Sequence, residues 1–228
     1  MAGKNNETNQ QAEIRRLALK ISKEQIAPYA AEIDRTEAFP WEAIRAIGEA
    51  ELPGLVVAEK EGGTGEGRAA LASVTQEFAS ACASTALIFT SHVILVKAIE
   101  IAGNDGIKRK WLPDLLKCRI LGAFAVHEPD SGSNAGAIAT KAAKDQNSYV
   151  VNGTKFFITS GGEADVYLVL VRTDPEKGPQ GMTTLLVEKG TPGLSFGRVE
   201  EKMGLRGSSS KELVFSDCRG SHRESFRR

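Results

Sequence analysis

Hydrophobic positions recur through the first half of the chain at the spacing of one helix face. Ile14, Leu17, Ala18 and Ile21 form the first such set. Pro28 kinks or ends that helix, because proline lacks the N–H that a helix interior needs. Pro40 opens a second helix at its first turn, with Trp41, Ile44 and Ile47 facing inward, and Leu52-Pro53-Gly54 stops it. A Gly-rich loop from Glu61 to Gly67 leads to a third helix with Leu71, Val74, Thr75 and Phe78 on one side. A fourth runs from about Thr85 to Ile101 and ends at Gly103, a natural C-cap. Asn104 caps a fifth, which carries Ile107, Trp111, Leu112 and Leu115.

The period changes near Leu121, and from there the sequence favours strands. Tyr149-Val150-Val151, then Asn152-Gly153, then Phe156-Phe157-Ile158 predicts a hairpin, since Asn-Gly tolerates the positive φ angles of a tight turn. Val166 to Val171 is a continuous apolar run suited to a buried strand, and Met182–Val187, Leu194–Phe196 and Glu212–Phe215 add more. Turns at Asp174-Pro175 and Thr191-Pro192-Gly193 separate them. The expected fold class is α+β, an N-terminal all-helical domain followed by a small β-barrel domain. The expected divisions are 1–120, 121–219 and a tail, 220–228, with many charges and no apolar period.

Composition narrows the function classes. Lys plus Arg and Asp plus Glu both count 29 in 228 residues, and this balance argues against a dedicated nucleic-acid binder. The longest apolar run, Ala86 to Ile101, is interrupted by Ser91, His92, Lys97 and Glu100, so no membrane span is expected. The polar N-terminus lacks the apolar core of a signal peptide. Cys82, Cys118 and Cys218 are far apart and odd in number, so neither a metal site nor a disulfide framework is expected. A cytoplasmic location follows as the simplest reading, which leaves the sequons at Asn6 and Asn152 inert.

Two places carry candidate chemistry, and the histidines and a second Gly-rich loop are weighed beside them. Glu128-Pro129-Asp130-Ser131-Gly132-Ser133-Asn134 follows an expected strand, Leu121 to Val126. Small residues there let backbone N–H groups approach a phosphate, with the Ser133 hydroxyl beside them; an ordinary Gly/Ser turn accounts for the same residues more simply. Phe157 and Thr159 share a strand face, so a ring and a hydroxyl are available to a flat ligand, or simply decorate a barrel strand. His92 lies in an apolar helix and reads as a satisfied core histidine. His127 precedes the Gly/Ser loop without an evident partner, and His222 lies in the tail. Gly62-Gly63-Thr64-Gly65 lacks the Lys-Ser/Thr of a nucleotide P-loop and reads as a connector.

Taken together, these motifs resemble the acyl-CoA dehydrogenase family from about Glu13 to Arg219. Ala123-Phe124-Ala125-Val126-His127-Glu128-Pro129-Asp130-Ser131-Gly132-Ser133-Asn134 is similar to that family's Thr-Glu-Pro-x-x-Gly-Ser-Asp signature. Asn152-Gly153-Thr154-Lys155-Phe156-Phe157-Ile158-Thr159 is similar to its Asn-Gly-x-Lys-x-Trp-Ile-Thr. Ala58 to Gly65, Lys110-Trp111-Leu112-Pro113 and Met203 to Ser208 also fit. His127 stands where the family has Thr, and Phe157 where it has Trp.

The resemblance implies FAD as cofactor and an acyl-CoA thioester as substrate. It implies that Phe124, Val126 and His127 lie near the flavin. Gly132 and Ser133 would hold its phosphates, Ser133 also near the substrate, and Phe157, Ile158 and Thr159 would flank the ring system. It further implies α,β-dehydrogenation with a glutamate base, hydride transfer to flavin N5, electron-transferring flavoprotein as partner, and a homo-oligomer in the full-length form. The family continues after Asp217-Cys218-Arg219 into a helical domain that carries the base. Here Gly220 to Arg228 has no such character, so a C-terminally truncated form lacking the catalytic residue is expected, with apolar surface uncovered on the first-half helices. The alternatives are a non-catalytic flavin- or CoA-binding or subunit-pairing fragment, and a relative of the acyl-CoA oxidases.

Overall fold

The computed structural model describes residues 8–146, 148–221 and 225–226. Asn6, His222 and the end of the expected tail lie outside the described residues.

The first half is helical, as the apolar period requires. Helix α1 spans Asn9–Ile21, and Thr8 and Gln11 close its N-terminus as a reciprocal capping box. Pro28 does not end the helical path. The chain passes through a wide turn, Ser22–Ile26, and a tight 3-10 turn, Ala27–Tyr29, straight into α2, Ala30–Thr36. Pro28 sits at the start of that tight turn, where no N–H is needed. Helices α3 (Trp41–Glu49), α4 (Gly67–Ala81), α5 (Ala83–Ala102) and α6 (Asp105–Leu116) follow. The Asn104 side chain accepts from Ile107 N at 3.0 Å, as the sequence predicts.

The second half is one curled mixed sheet, a half-barrel with free edges. Its strands are β1 (Gly122–Ala125), β2 (Lys141–Asp145), β3 (Ser148–Thr159), β4 (Val166–Arg172), β5 (Met182–Glu188), β6 (Leu194–Val199), β7 (Ser210–Ser221) and β8 (Ser225–Phe226). Their order is β6-β7-β3-β2-β4-β5-β8. Strand β1 also pairs with β4, in parallel, from Gly122↔Val166 to Ala125↔Val169. Strand β2 meets the same β4 in parallel at Lys141↔Arg172. The two short strands therefore run end to end along β4, and residues 126–140 leave the sheet between them.

The hairpin expected at Asn152-Gly153 is not there. Strand β3 runs straight through it, with a β-bulge between Val151 and Gly153. The turn lies instead between β2 and β3, where Asp145 pairs with Ser148. Long-range contacts decide the matter. Asn152 exchanges two hydrogen bonds with Asp217 of β7, at 2.9 and 3.1 Å. A Cβ on Gly153 would come within 2.7 Å of Thr140, so glycine is needed for close approach within the sheet. Strand β7 continues to Ser221, and β8 pairs with β5.

One core runs across both halves. Ile44, Ile47, Val74, Phe78, Ile88 and Phe89 of the helices share a cluster with Ala123, Val151, Val169 and Leu213 of the sheet. His92 fixes the seam. Its Nε2–H donates to Leu115 O at 2.8 Å, and its Nδ1 accepts from Gly122 N at 2.9 Å. The imidazole is 1% exposed and thus a satisfied interface histidine, as its apolar setting suggests. Among the described helices, α5 alone is long and apolar enough to cross a bilayer. Its apolarity is used inside this fold, where Ile88, Phe89, Val93, Leu95, Val96 and Ile99 are all buried. On its outer side Ile94 and Ile101, seven residues apart, stay 50% and 70% exposed.

Candidate functional site

Strand β1 delivers the chain into the Gly/Ser loop, and β3 returns beside it. The two sequence motifs meet where Phe156 N donates to His127 O at 2.8 Å. A second bulge, between Lys155 and Ile158, interrupts β3 immediately afterwards. Phe157 sits in that bulge with φ +55°, a region that L-residues enter at a cost, and its ring is 61% exposed. Such bulges re-aim side chains and recur beside functional sites. Thr159 is half-buried on the same side, whereas Ile158 turns its side chain into the core. Ile158 therefore offers only backbone to the exposed wall.

Upstream, Phe124 is half-buried against the cluster formed by α5, α6 and β4. Val126 is half-buried and His127 exposed. In the loop, Glu128 and Ser131 exchange backbone hydrogen bonds at 2.9 and 3.1 Å, and Ser131 Oγ donates to Asn134 O at 2.7 Å. This tight turn leaves Gly132 and Ser133 exposed, and among the described residues no hydrogen bond occupies the N–H groups of Gly132, Ser133 or Asn134. Unengaged donors in an exposed loop, the exposed Ser133, an unburied aromatic and a half-buried Thr suit a ligand with both an anionic part and a flat ring. The wall has two parts, the loop at Gly132 and Ser133 and the strand at Phe157 to Thr159.

A buried ion pair holds these parts together. Lys155 Nζ lies 2.8 Å from Glu128 Oε1 and 3.1 Å from Val126 O, with side-chain exposures of 0% and 6% for Lys155 and Glu128. Glu128 also accepts from Ala139 N at 2.5 Å and Thr140 N at 3.0 Å. Burial by itself pushes the Glu128 carboxyl up, but Lys155 and the two N–H groups outweigh it and hold the group below its usual value. Burial pulls Lys155 down, opposed by Glu128. Sequence reasoning did not single out this pair. A signal existed, for Lys155 shares strand parity with the buried Tyr149 and Val151, and a lysine on a core face must have a partner.

Glu163 is 4.0 Å from Lys211, which pairs with Ile158 across β3 and β7. Burial pushes the Cys118 thiol up to about 12 and the Cys218 thiol up to about 11, so neither is a ready thiolate. Clefts of about 510 Å³ at Arg45, Gly48, Glu51 and Lys117, and of about 440 Å³ between α1 and α3, do not touch the wall.

Comparison with known proteins places this architecture. The model of the acyl-CoA dehydrogenase N-terminal domain matches residues 8–119, and that of the middle domain matches residues 123–218. The mitochondrial isobutyryl-CoA dehydrogenase of Dictyostelium discoideum is 41% identical over 212 residues, 93% of this chain and 51% of that protein. The solved butyryl-CoA dehydrogenase of Megasphaera elsdenii superposes with a TM-score of 0.90 at 33% identity, covering 97% of this chain and 59% of that one. A structure described as electron transferring flavoprotein of Acidaminococcus fermentans gives 0.93 at 31% identity, covering 98% and 59%. The chain spans about half the length of the curated relatives it matches. With both models matched in tandem over nearly all of its residues, the chain belongs to the acyl-CoA dehydrogenase family.

Proposed function

We propose that this chain forms the flavin-binding wall of an FAD-dependent acyl-CoA dehydrogenase. The observation that carries the reading is Phe157, exposed at positive φ beside a loop in which, among the described residues, no hydrogen bond occupies the N–H groups at 132–134. Gly132 and Ser133 would hold the cofactor's phosphates. Phe157, the Ile158 backbone and Thr159 would flank its ring, with Val126 and His127 at its edge and Phe124 behind them. Bound FAD supplies the hydride acceptor for α,β-dehydrogenation of an acyl-CoA thioester. The chain's own residues orient the ring and keep one face of it dry. Ser133 is also assigned to the substrate, and an electron-transferring flavoprotein is the proposed acceptor. The helical part is taken as residues 1–120 and the sheet as 121–219.

The loop's glutamate is not free to serve as base, because Glu128 is spent on Lys155, Ala139 and Thr140. The chain by itself is therefore expected to bind flavin without dehydrogenating. Titration with FAD, followed by anaerobic addition of a short-chain acyl-CoA, tests both parts. Flavin binding without bleaching is the expected result. Rapid bleaching would refute the missing-base assignment, and absence of flavin binding would refute the wall itself. Exposed Ile94 and Ile101 favour a second reading, a subunit-pairing fragment. A concentration-dependent mass with no flavin affinity would select it.

A further inference from the structure

The geometry points to Arg172 as a positioning residue for the Gly/Ser loop, one that sets affinity for the phosphate part of the flavin. The inference rests on the proposed flavin reading.

Arg172 ends β4, and its side chain reaches three backbone carbonyls. Nε donates to Ile138 O at 3.0 Å, Nη2 to Gly136 O at 2.7 Å and Nη1 to Gly178 O at 3.0 Å. Its backbone N donates to Thr140 O at 2.8 Å. One guanidinium thus ties the returning limb of the 126–140 loop to the β4–β5 connection. Gly178 takes φ +54° and ψ −131° there, a conformation open essentially to glycine alone. All three side-chain acceptors are neutral carbonyls, and among the described residues no carboxylate pairs with the guanidinium.

The orientation of one peptide shows what this does. In a trans peptide the C=O and the following N–H point in opposite directions. Ile138 O faces Arg172, and Ala139 N–H faces Glu128 Oε2. That peptide lies between a guanidinium and a carboxylate, and the carboxylate is held in turn by Lys155. Arg172, the 138–139 peptide, Glu128 and Lys155 form a relay of alternating polarity, in which each hydrogen bond strengthens its neighbours. The outgoing limb is fixed by the Glu128–Ser131 exchange and the returning limb by Arg172, so the exposed stretch 132–134 between them is held in place before a ligand arrives. A lysine cannot reproduce this, since three acceptors in different directions need a planar fork.

The test compares the 228-residue chain with Arg172→Lys and Arg172→Met. It measures affinity for FAD and for riboflavin by flavin fluorescence, and amide exchange in residues 132–140 against β4 and β5. Arg172→Lys keeps stem and charge, so it supplies a folded variant even where Arg172→Met does not. Loss of these bonds is expected to weaken FAD about ten-fold in either variant. Riboflavin, which lacks the phosphates, is expected to bind as before, and exchange is expected to rise in the loop alone. Full rescue by lysine would overturn positioning in favour of charge. An equal loss for riboflavin, or unchanged FAD affinity in a variant whose loop has loosened, would also overturn it. If the unaltered chain binds neither flavin, the flavin reading fails first and takes this inference with it. If it binds FAD and the variants match it, only this inference fails.

Discussion

Acidification is expected to loosen the seam between helices and sheet through one residue, His92. Its ring is neutral, because Nδ1 accepts from Gly122 N while Nε2–H donates to Leu115 O. Burial lowers its pKa from 6.5 to about 4, opposed by the Leu115 carbonyl. Gly122 N–H can donate only to an unprotonated Nδ1, so it too resists protonation. The folded value lies below the unfolded one. Between the two, the unfolded chain binds a proton that the native chain refuses, so stability is whole above 6.5 and drains away as pH falls toward 4. At 1.36 kcal/mol per unit, the full loss is about 3 kcal/mol, a large part of a typical domain's stability. Urea denaturation of the chain and of His92→Gln, at several pH values across this window, isolates the effect, because carboxylates titrate in both. The two stabilities should converge by about 1.4 kcal/mol per pH unit below 6.5. Parallel profiles, or a His92 ring resonance that titrates near 6.5 in the folded chain, would refute the reasoning.

Three further outcomes are expected. Lys155→Met strands the Glu128 charge in the core and should cost about 3–5 kcal/mol in chemical denaturation, with much of it recovered when Glu128→Gln is added; a loss below about 1 kcal/mol would mean the pair is hydrated. Phe157→Gly relieves a positive φ at an exposed site, so Tm should hold or rise while flavin affinity falls, and a marked drop in Tm would count against a functional strain there. Gly153→Ala forces a Cβ toward Thr140 and should destabilise by about 1–3 kcal/mol, and a melt like that of the parent chain would show the bulge to be pliable.

The helices were legible because their signals are local. Asn104 caps α6 through Ile107 three residues on, and the 3.6-residue period picks out most of the buried faces, although Leu17 of α1 stays 40% exposed. The path through Pro28 was less so, because a proline that ends one helix and a proline that starts a tight turn look alike in sequence. Asn152-Gly153 misled for a related reason. The dipeptide suits a hairpin turn and a bulge equally, and the choice was made by Asp217, 65 residues away in sequence, and by Thr140. That Phe157 and Thr159 share a face was read from their spacing, but the bulge that exposes Phe157, despite its sharing parity with the buried Val151 and Lys155, was not. Glu128, Lys155 and Arg172 were the largest omission. Each contacts backbone or charge far along the chain, and only the parity of Lys155 hinted at it.

Strands β1 and β2 lying in one line along β4 have a practical meaning. Residues 126–140 behave as a cassette let into a continuous track, with both ends held by the same strand. Insertions or exchanges within 130–137 would leave the sheet's register untouched, since β4 sets it on either side. A protein built this way can change what its loop recognises without refolding its barrel, and grafting that stretch alone is a reasonable route to a new ligand.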